Sequence, residues 1–115
     1  MFERWTGKPA MVTICSDGVC TFNSAAKKLV ADWARCDLCY DFDENGITIA
    51  FMKKDDGDRK ISRGVSVKIN LLLEFIGYDS NVKRSFELSR LDQDGNQYVT
   101  FHIENDKITE RQSLE

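Results

Sequence analysis

Of the patterns in this sequence, the spacing of its four cysteines most resembles a metal site. Cys15 and Cys20 form one pair, and after fifteen intervening residues Cys36 and Cys39 form a second. Two such pairs could supply four thiolates to tetrahedral zinc if each pair formed a tight knuckle. The second pair lacks a knuckle glycine and lies in an alternating stretch, where residues three apart point to opposite faces of a strand. The pattern favours buried or half-buried thiols, with structural zinc at these four residues as the alternative.

The dipeptide Asp17-Gly18 between the first two cysteines predicts a two-residue hairpin turn. Such a turn would place Cys15 directly opposite Cys20 on the neighbouring strand. The first residues show no secretory signal, so we expect a cytoplasmic protein whose thiols stay reduced.

A basic connecting segment is the candidate nucleic-acid site. Residues 53–68 carry six cations and three carboxylates, a net charge of +3, although the whole chain of 115 residues carries −3. The overall charge excludes a domain that coats DNA through its whole surface, but a local positive segment could still contact phosphates. The alternative is a solvated loop of mixed charge. The predicted nucleic-acid-binding residues are Lys53, Lys54, Arg59, Lys60, Arg63 and Lys68.

The sequence contains no recognisable catalytic residues. His102 is the only histidine, and it lies on a predicted strand opposite the apolar face, with no Ser or Cys motif directed at it. Asp41-x-Asp43-x-Asn45-Gly46 resembles the start of a calcium loop, but Met52 stands where that loop needs a bidentate Glu. Turn chemistry explains these residues better. We therefore expect no enzyme activity and no cofactor.

Helix and turn signals in the first half predict alternating hairpins around a short helix. Residues 11–22 form the first predicted hairpin, and Asn23 is predicted to cap the following helix. Asn45-Gly46 predicts a second hairpin turn. The flanking strands alternate with period two and carry Leu38, Tyr40 and Phe42 before this turn and Ile47, Ile49 and Phe51 after it.

The second half repeats this order. Asn70 is predicted to cap a helix that Gly77 ends, and Asp94-Gly95 predicts a further hairpin. Cap, helix and turn positions recur at offsets of 47 to 49 residues. This register predicts a tandem ββαββ-like pseudo-duplication with halves at about 11–52 and 58–104 and a polar tail at 105–115, all in one domain spanning 1–115. The fold class is α+β, mainly antiparallel β with two short helices.

Two resemblances extend this interpretation. The run at residues 16–26 (SDGVCTFNSAA), with LCYD at 38–41 and GITI at 46–49, resembles one half of AbrB/MraZ-type swapped-hairpin proteins. In that family two copies, in one chain or two, interlock into a compact barrel that binds DNA, which implies a DNA partner. We also expect a homodimer. The chain departs from the family pattern at Val19, where a basic residue is expected, and at Asn23, where a proline opens the helix.

The chain also resembles a group of small uncharacterised bacterial and mobile-element proteins, through FERWTG at 2–7, TFN at 21–23 and LCYD at 38–41. This group carries no activity that could be transferred.

Two functional hypotheses follow. The first is a non-enzymatic nucleic-acid-binding or regulatory protein that uses the basic segment. The second is a protein-interaction module or inhibitor, encoded by a phage or mobile element, that uses an exposed strand edge or apolar patch. No apolar run approaches the roughly 18 residues of a membrane span, so a membrane partner is not expected.

Overall fold

The computed structural model describes residues 2, 9–61, 66–78 and 83–108, and consists mainly of antiparallel strands. Its elements are β1 (Met11–Ile14), β2 (Val19–Phe22), α1 (Ser24–Leu29), β3 (Arg35–Asp43), β4 (Gly46–Lys53), β5 (Arg59–Lys60), β6 (Ser66–Lys68), α2 (Asn70–Ile76), β7 (Arg84–Glu87), β8 (Ser89–Gln93), β9 (Asn96–Glu104) and a 3-10 helix (Asn105–Lys107). This confirms the predicted α+β class with two short helices.

The strands form two sheets. One has four strands in the order β6-β2-β1-β7, and the other has five in the order β5-β3-β4-β9-β8. The chain passes from the first sheet to the second between β7 and β8, at the buried Leu88, whose N–H donates to the C=O of Ala10 at 2.8 Å. No helix of the described ranges is long and apolar enough to cross a membrane.

The core lies between the apolar faces of the two sheets. On β4, Ile47, Ile49 and Phe51 are almost completely buried, and the intervening residues are less so, as their period-two spacing predicts. The ring of Phe51 meets the ring of Phe22 edge-on at 5.7 Å between centroids and stacks with that of Phe101 at 5.9 Å. The contact between Phe22 of β2 and Phe51 of β4 joins the four-stranded and five-stranded sheets.

The first hairpin is present, but its turn is longer than predicted. The N–H of Cys15 donates to the C=O of Val19 at 3.0 Å, which leaves three residues in the loop. Gly18 adopts φ +82° at its end, the conformation typical of a three-residue hairpin. Cys20 therefore lies opposite Ile14, and the prediction that it faces Cys15 is wrong.

The two later hairpins turn differently from one another. Asp94 and Gly95 both have positive φ, 53° and 79°, as the predicted two-residue turn requires. In the other hairpin the turn residues are Glu44 and Asn45, because Asp43 pairs with Gly46 across the strands. The predicted turn at Asn45-Gly46 is thus displaced by one residue, and Gly46 is the first residue of β4.

The helix caps are only partly as predicted. Asn23 caps α1 and accepts from the N–H of Ala26 at 2.9 Å. Asn70 is not a cap: Ile69 occupies the N-cap position of α2, and its C=O already accepts from the N–H of Leu73 at 3.1 Å. The cap lies one residue before the predicted position, where the N–H of Ile69 donates to the C=O of Gly18 at 2.9 Å.

Gly77 ends α2 as predicted. It adopts φ 76° and its N–H donates to the C=O of Glu74 at 3.2 Å, while the N–H of Tyr78 donates to the C=O of Leu73 at 3.0 Å. These two bonds form the Schellman arrangement, which favours glycine at the left-handed position.

The pseudo-duplication is not confirmed. Strands β1 and β2 form a hairpin, whereas β5 and β6 belong to different sheets. Residues 105–108, predicted as the start of a polar tail, form the 3-10 helix and a bridge between Ile108 and Tyr78. Residues 109–115 lie outside the described ranges.

Candidate functional site

The predicted nucleic-acid residues are distributed over both sheets. Lys53 ends β4, and its Nζ lies 2.8 Å from Oδ2 of Asp32, while Nζ of Lys54 lies 3.5 Å from Oδ2 of Asp37. Two of the six cations are therefore already paired with carboxylates. The others are placed as follows: Arg59 and Lys60 form β5, Lys68 lies in β6 at the border of the other sheet, and Arg63 lies outside the described residues.

The carboxylates beside these lysines are stabilised in their charged form. The hydrogen bond from Nζ of Lys53 lowers the pKa of Asp32 below its usual value. The N–H of Asp58 donates to Oδ1 of Asp37 at 2.8 Å, and this bond, followed by the charge of Lys54, lowers the pKa of Asp37. The lysine charges at this end of the sheet are thus balanced locally.

The four thiols are free, and they occupy different faces and depths. Cys20 and Cys36 are buried, whereas Cys15 and Cys39 are half-buried. Burial raises the pKa of Cys36 to about 11 and that of Cys20 still further above its usual value. Because side chains alternate along β3, Cys36 and Cys39 lie on opposite faces of the strand. Within the described residues, no group of three or more His, Cys, Asp or Glu side chains is arranged to hold a metal ion.

His102 lies on the outer face of the five-stranded sheet beside Asp43. Its Nε2 is 3.3 Å from Oδ2 of Asp43, whose Oδ1 accepts from the N–H groups of Asn45 and Gly46, both at 2.8 Å. The hydrogen bond from Asn45 is the main cause of the lowered pKa of Asp43, and the one from His102 adds to it. The acidic motif of this hairpin therefore serves the turn, as its sequence predicts.

Backbone hydrogen bonds establish which edge each β3 residue faces. The C=O of Ala34 accepts from the N–H of Ile61 at 3.0 Å, on the β5 side, whereas the C=O of Arg35 accepts from the N–H of Lys54 at 3.4 Å, on the β4 side. Along an antiparallel strand, the N–H and C=O groups of successive residues point alternately to the neighbour on one side and to the neighbour on the other. The even-numbered residues of β3 therefore direct their N–H and C=O groups away from β4.

Strand β5 covers only the beginning of that edge. It pairs with β3 at Arg35 and Cys36 and extends no further. Beyond this point the N–H and C=O groups of Leu38 and Tyr40 point outward, and they make no hydrogen bond in the part of the chain that the structure describes. A strand edge of this kind can accept an additional strand.

An exposed apolar surface lies beside this open edge. The ring of Tyr40 lies 5.4 Å from the ring of Phe75 in α2 and 5.6 Å from that of Phe42. Tyr40 is 45% exposed, Phe75 is 39% exposed, and Leu71, one helical turn before Phe75, is 60% exposed. We call these four residues the edge patch. Three large apolar side chains left this accessible at one place are characteristic of an interaction site.

The outer face of β3 is acidic. Side chains alternate along the strand, so the face opposite the edge patch carries Asp37, Cys39, Asp41 and Asp43. Asp37 and Asp43 are engaged by the bonds described above, whereas Asp41 is exposed and has neither an ion pair nor a side-chain hydrogen bond in the described ranges. The open edge is thus apolar on one side and negatively charged on the other.

Strand β8, at the opposite border of the same sheet, is exposed and charged and has no comparable apolar patch among the described residues. All five residues of β8 are exposed, and Nε of Arg90 lies 3.3 Å from Oδ1 of Asp92. Leu91 is the one large apolar side chain exposed on β8. Charged residues on an edge strand discourage pairing with another chain. The β3 edge is therefore the better candidate site.

No family model, curated protein or solved structure matches this chain.

Sequence reasoning recognised β3 as a strand but did not find its open edge. The available signals were the carboxylates at 37, 41 and 43 on one face, and α2, in which five of the seven residues NLLLEFI are large and apolar. A helix of that length buries one stripe, and only Leu73 and Ile76 are buried here. The excess apolar residues indicated a second, uncovered face.

Proposed function

We propose that this protein is a non-enzymatic protein-interaction module that binds an extended segment of a partner protein along the β3 edge. The observation that supports this proposal is the outward-facing backbone of Leu38 and Tyr40, which makes no hydrogen bond to the described residues and lies beside the exposed edge patch. In strand addition, main-chain hydrogen bonds give affinity and alternate side chains give specificity. The β3 edge offers both kinds of contact within a few residues.

The exposed apolar area of the edge patch would contribute to the free energy of binding when a partner covers it. Full burial of a large apolar side chain is worth about 1.5–3 kcal/mol. With about half of the side chain still exposed, Tyr40 and Leu71 would each gain about 1 kcal/mol on being covered. Because this corresponds to roughly a fivefold change in a dissociation constant, loss of either side chain is measurable in a binding assay.

Nucleic-acid binding through the basic segment is the second proposal. Arg59 and Lys60 support it, because neither forms a salt bridge within the described residues. The pairing of Lys53 and Lys54 with carboxylates leaves less positive charge for phosphates than the sequence indicates. Fluorescence anisotropy with labelled single- and double-stranded DNA tests it, and binding that is insensitive to Arg59→Ser and Lys60→Ser would contradict it.

The strand-addition proposal is tested with a displayed library of random heptapeptides selected on the wild-type protein. We expect selected peptides to lose about fivefold in affinity with Tyr40→Ala. Leu91→Ala is the matched control, because it removes a similarly exposed side chain (47%) from the opposite border of the sheet and should leave affinity unchanged. Selected peptides that bind Tyr40→Ala as well as wild type, or a selection that enriches none, would contradict the proposal.

A pair of proline variants tests the backbone contribution. Tyr40→Pro removes an outward N–H and should abolish peptide binding while the protein still folds, because proline is tolerated at strand edges. Cys39→Pro removes an N–H directed at β4 and should unfold the protein. Circular dichroism separates the two variants. Retained peptide binding by folded Tyr40→Pro would show that the edge backbone does not bind the peptide.

A further inference from the structure

We infer that the partner segment alternates apolar residues with lysine or arginine, its apolar side chains covering the edge patch and its cations facing the acidic outer face of β3; this inference rests on the proposed strand addition. Strand geometry requires the alternation, because successive side chains of an added strand point to opposite faces of the sheet. Residues opposite Leu38 and Tyr40 would share the face of the edge patch, and residues opposite Cys39 and Asp41 would share the acidic face.

The requirement for positive charge comes from Asp41. Its carboxylate is exposed, forms no ion pair with any residue that the structure describes, and lies between Cys39 and Asp43 on the outer face. A directly opposed residue of an added strand would have its Cβ about 4.5–5.5 Å from that of Asp41. At that separation an acidic partner residue would be repelled and a basic one attracted, whereas Asp37 at the other end of this face is already paired with Lys54.

The same carboxylates disfavour a second copy of this chain as the occupant. If two β3 strands paired about Tyr40, Asp37 of each would oppose Asp43 of the other. Pairing about Cys39 would oppose Asp37 and Asp41, and pairing about Asp41 would oppose that residue to itself. Each of these three two-fold registers places like charges directly across the strands, which is destabilising. Pairing about Leu38 would need the edge at Arg35 and Cys36, which β5 already occupies. A partner of opposite charge avoids this repulsion.

The test uses two synthetic heptapeptides, Lys-Val-Lys-Val-Lys-Val-Lys and Glu-Val-Glu-Val-Glu-Val-Glu, each blocked at both ends. Binding to the isotope-labelled protein is followed by amide chemical shifts, which also locate the peptide. We expect the basic peptide to bind at the β3 edge at least about tenfold more tightly than the acidic one at low salt, with the difference shrinking as salt rises. Equal binding of both peptides at this edge would overturn the inference but leave the proposed function standing.

Charge reversal at one residue provides the matched variants. Asp41→Asn should weaken the basic peptide by about twofold to fivefold, and Asp41→Lys should favour the acidic peptide. Glu87→Lys makes the same charge change on β7 of the other sheet, where the residue is also exposed, and should not alter the preference. If Glu87→Lys shifted the preference as much as Asp41→Lys, only net charge would be involved and the inference would be wrong. If no peptide of any charge affects the β3 amides, the proposed function itself fails.

Discussion

Two glycines at hairpin turns, Gly95 within its turn and Gly46 directly after its turn, should differ greatly in their tolerance of alanine. Gly95 lies in an open turn with φ 79°, and a Cβ added there would meet no atom within 4 Å. Gly46 has φ 154°, and a Cβ added there would overlap the C=O oxygen of Ile103 and lie 2.9 Å from Cα of Glu104. Both of those atoms belong to the backbone of β9, so no side-chain rotation can relieve the contact.

The magnitudes follow from these surroundings. For Gly95→Ala, left-handed strain of about 1–2 kcal/mol is partly offset by the lower entropy of the unfolded chain, which leaves a cost of about 1 kcal/mol. For Gly46→Ala, the strain adds to an overlap that forces β4 and β9 apart, and typical overpacking costs about 1–3 kcal/mol. We therefore expect Gly46→Ala to lower the free energy of unfolding by about 2–4 kcal/mol.

Urea denaturation followed by circular dichroism measures both costs under identical conditions. The expected result is a midpoint much lower for Gly46→Ala than for Gly95→Ala, with similar slopes, because both variants unfold the same surface. Equal costs, or a larger cost for Gly95→Ala, would show that the close approach of β4 and β9 at Gly46 is not present in solution.

Three further predictions concern the core, the helix cap and acid stability. Phe51→Ala should cost about 3–5 kcal/mol in unfolding free energy, measured by denaturant titration, because it leaves a cavity between the sheets; a cost below 1 kcal/mol would contradict the packing. Asn23→Ala should cost about 1–2 kcal/mol by the same assay, because its Oδ1 accepts from both Ala26 and Met11; Asn23→Asp, which keeps the acceptor, should cost less, and the reverse order would exclude the cap. Because folding lowers the pKa of Asp43, its carboxylate stabilises the folded protein above the unfolded pKa of 3.8, and this stabilisation is lost as the pH falls through the lower folded pKa. The thermal midpoint should therefore fall less steeply below pH 4 for Asp43→Asn than for wild type. Identical pH profiles of the two proteins would argue against the effect.

The elements were largely predictable from sequence, because local patterns encode them. Ile47, Ile49 and Phe51 gave the buried face of β4 through strict alternation, and Asp94-Gly95 gave a turn whose residues both need positive φ. Asn45-Gly46 has a similar dipeptide signal, but there the carboxylate of Asp43 accepts from the N–H groups of Asn45 and Gly46, and the turn lies one residue earlier. That competition is invisible to a dipeptide rule.

The candidate site was not predictable in the same way, because it depends on strand order. The open edge exists because β5 ends after pairing with Cys36, and it is apolar because α2 brings Phe75 against Tyr40. Strand β5 and α2 both lie far from β3 in the sequence, α2 by more than thirty residues. No local pattern specifies contacts between such distant segments. The basic segment was conspicuous in sequence, but the carboxylate partner of Lys53 comes from Asp32, outside that segment.

Hydrogen exchange at the β3 amides tests the account most directly. In the free protein the amides of Leu38 and Tyr40 should exchange rapidly, because they face outward and have no acceptor among the described residues, whereas those of Cys39 and Asp41 should be protected by β4. Saturation with the basic heptapeptide should protect Leu38 and Tyr40. Protection of these two amides in the free protein, or rapid exchange that persists when the peptide is bound, would contradict binding by strand addition at this edge.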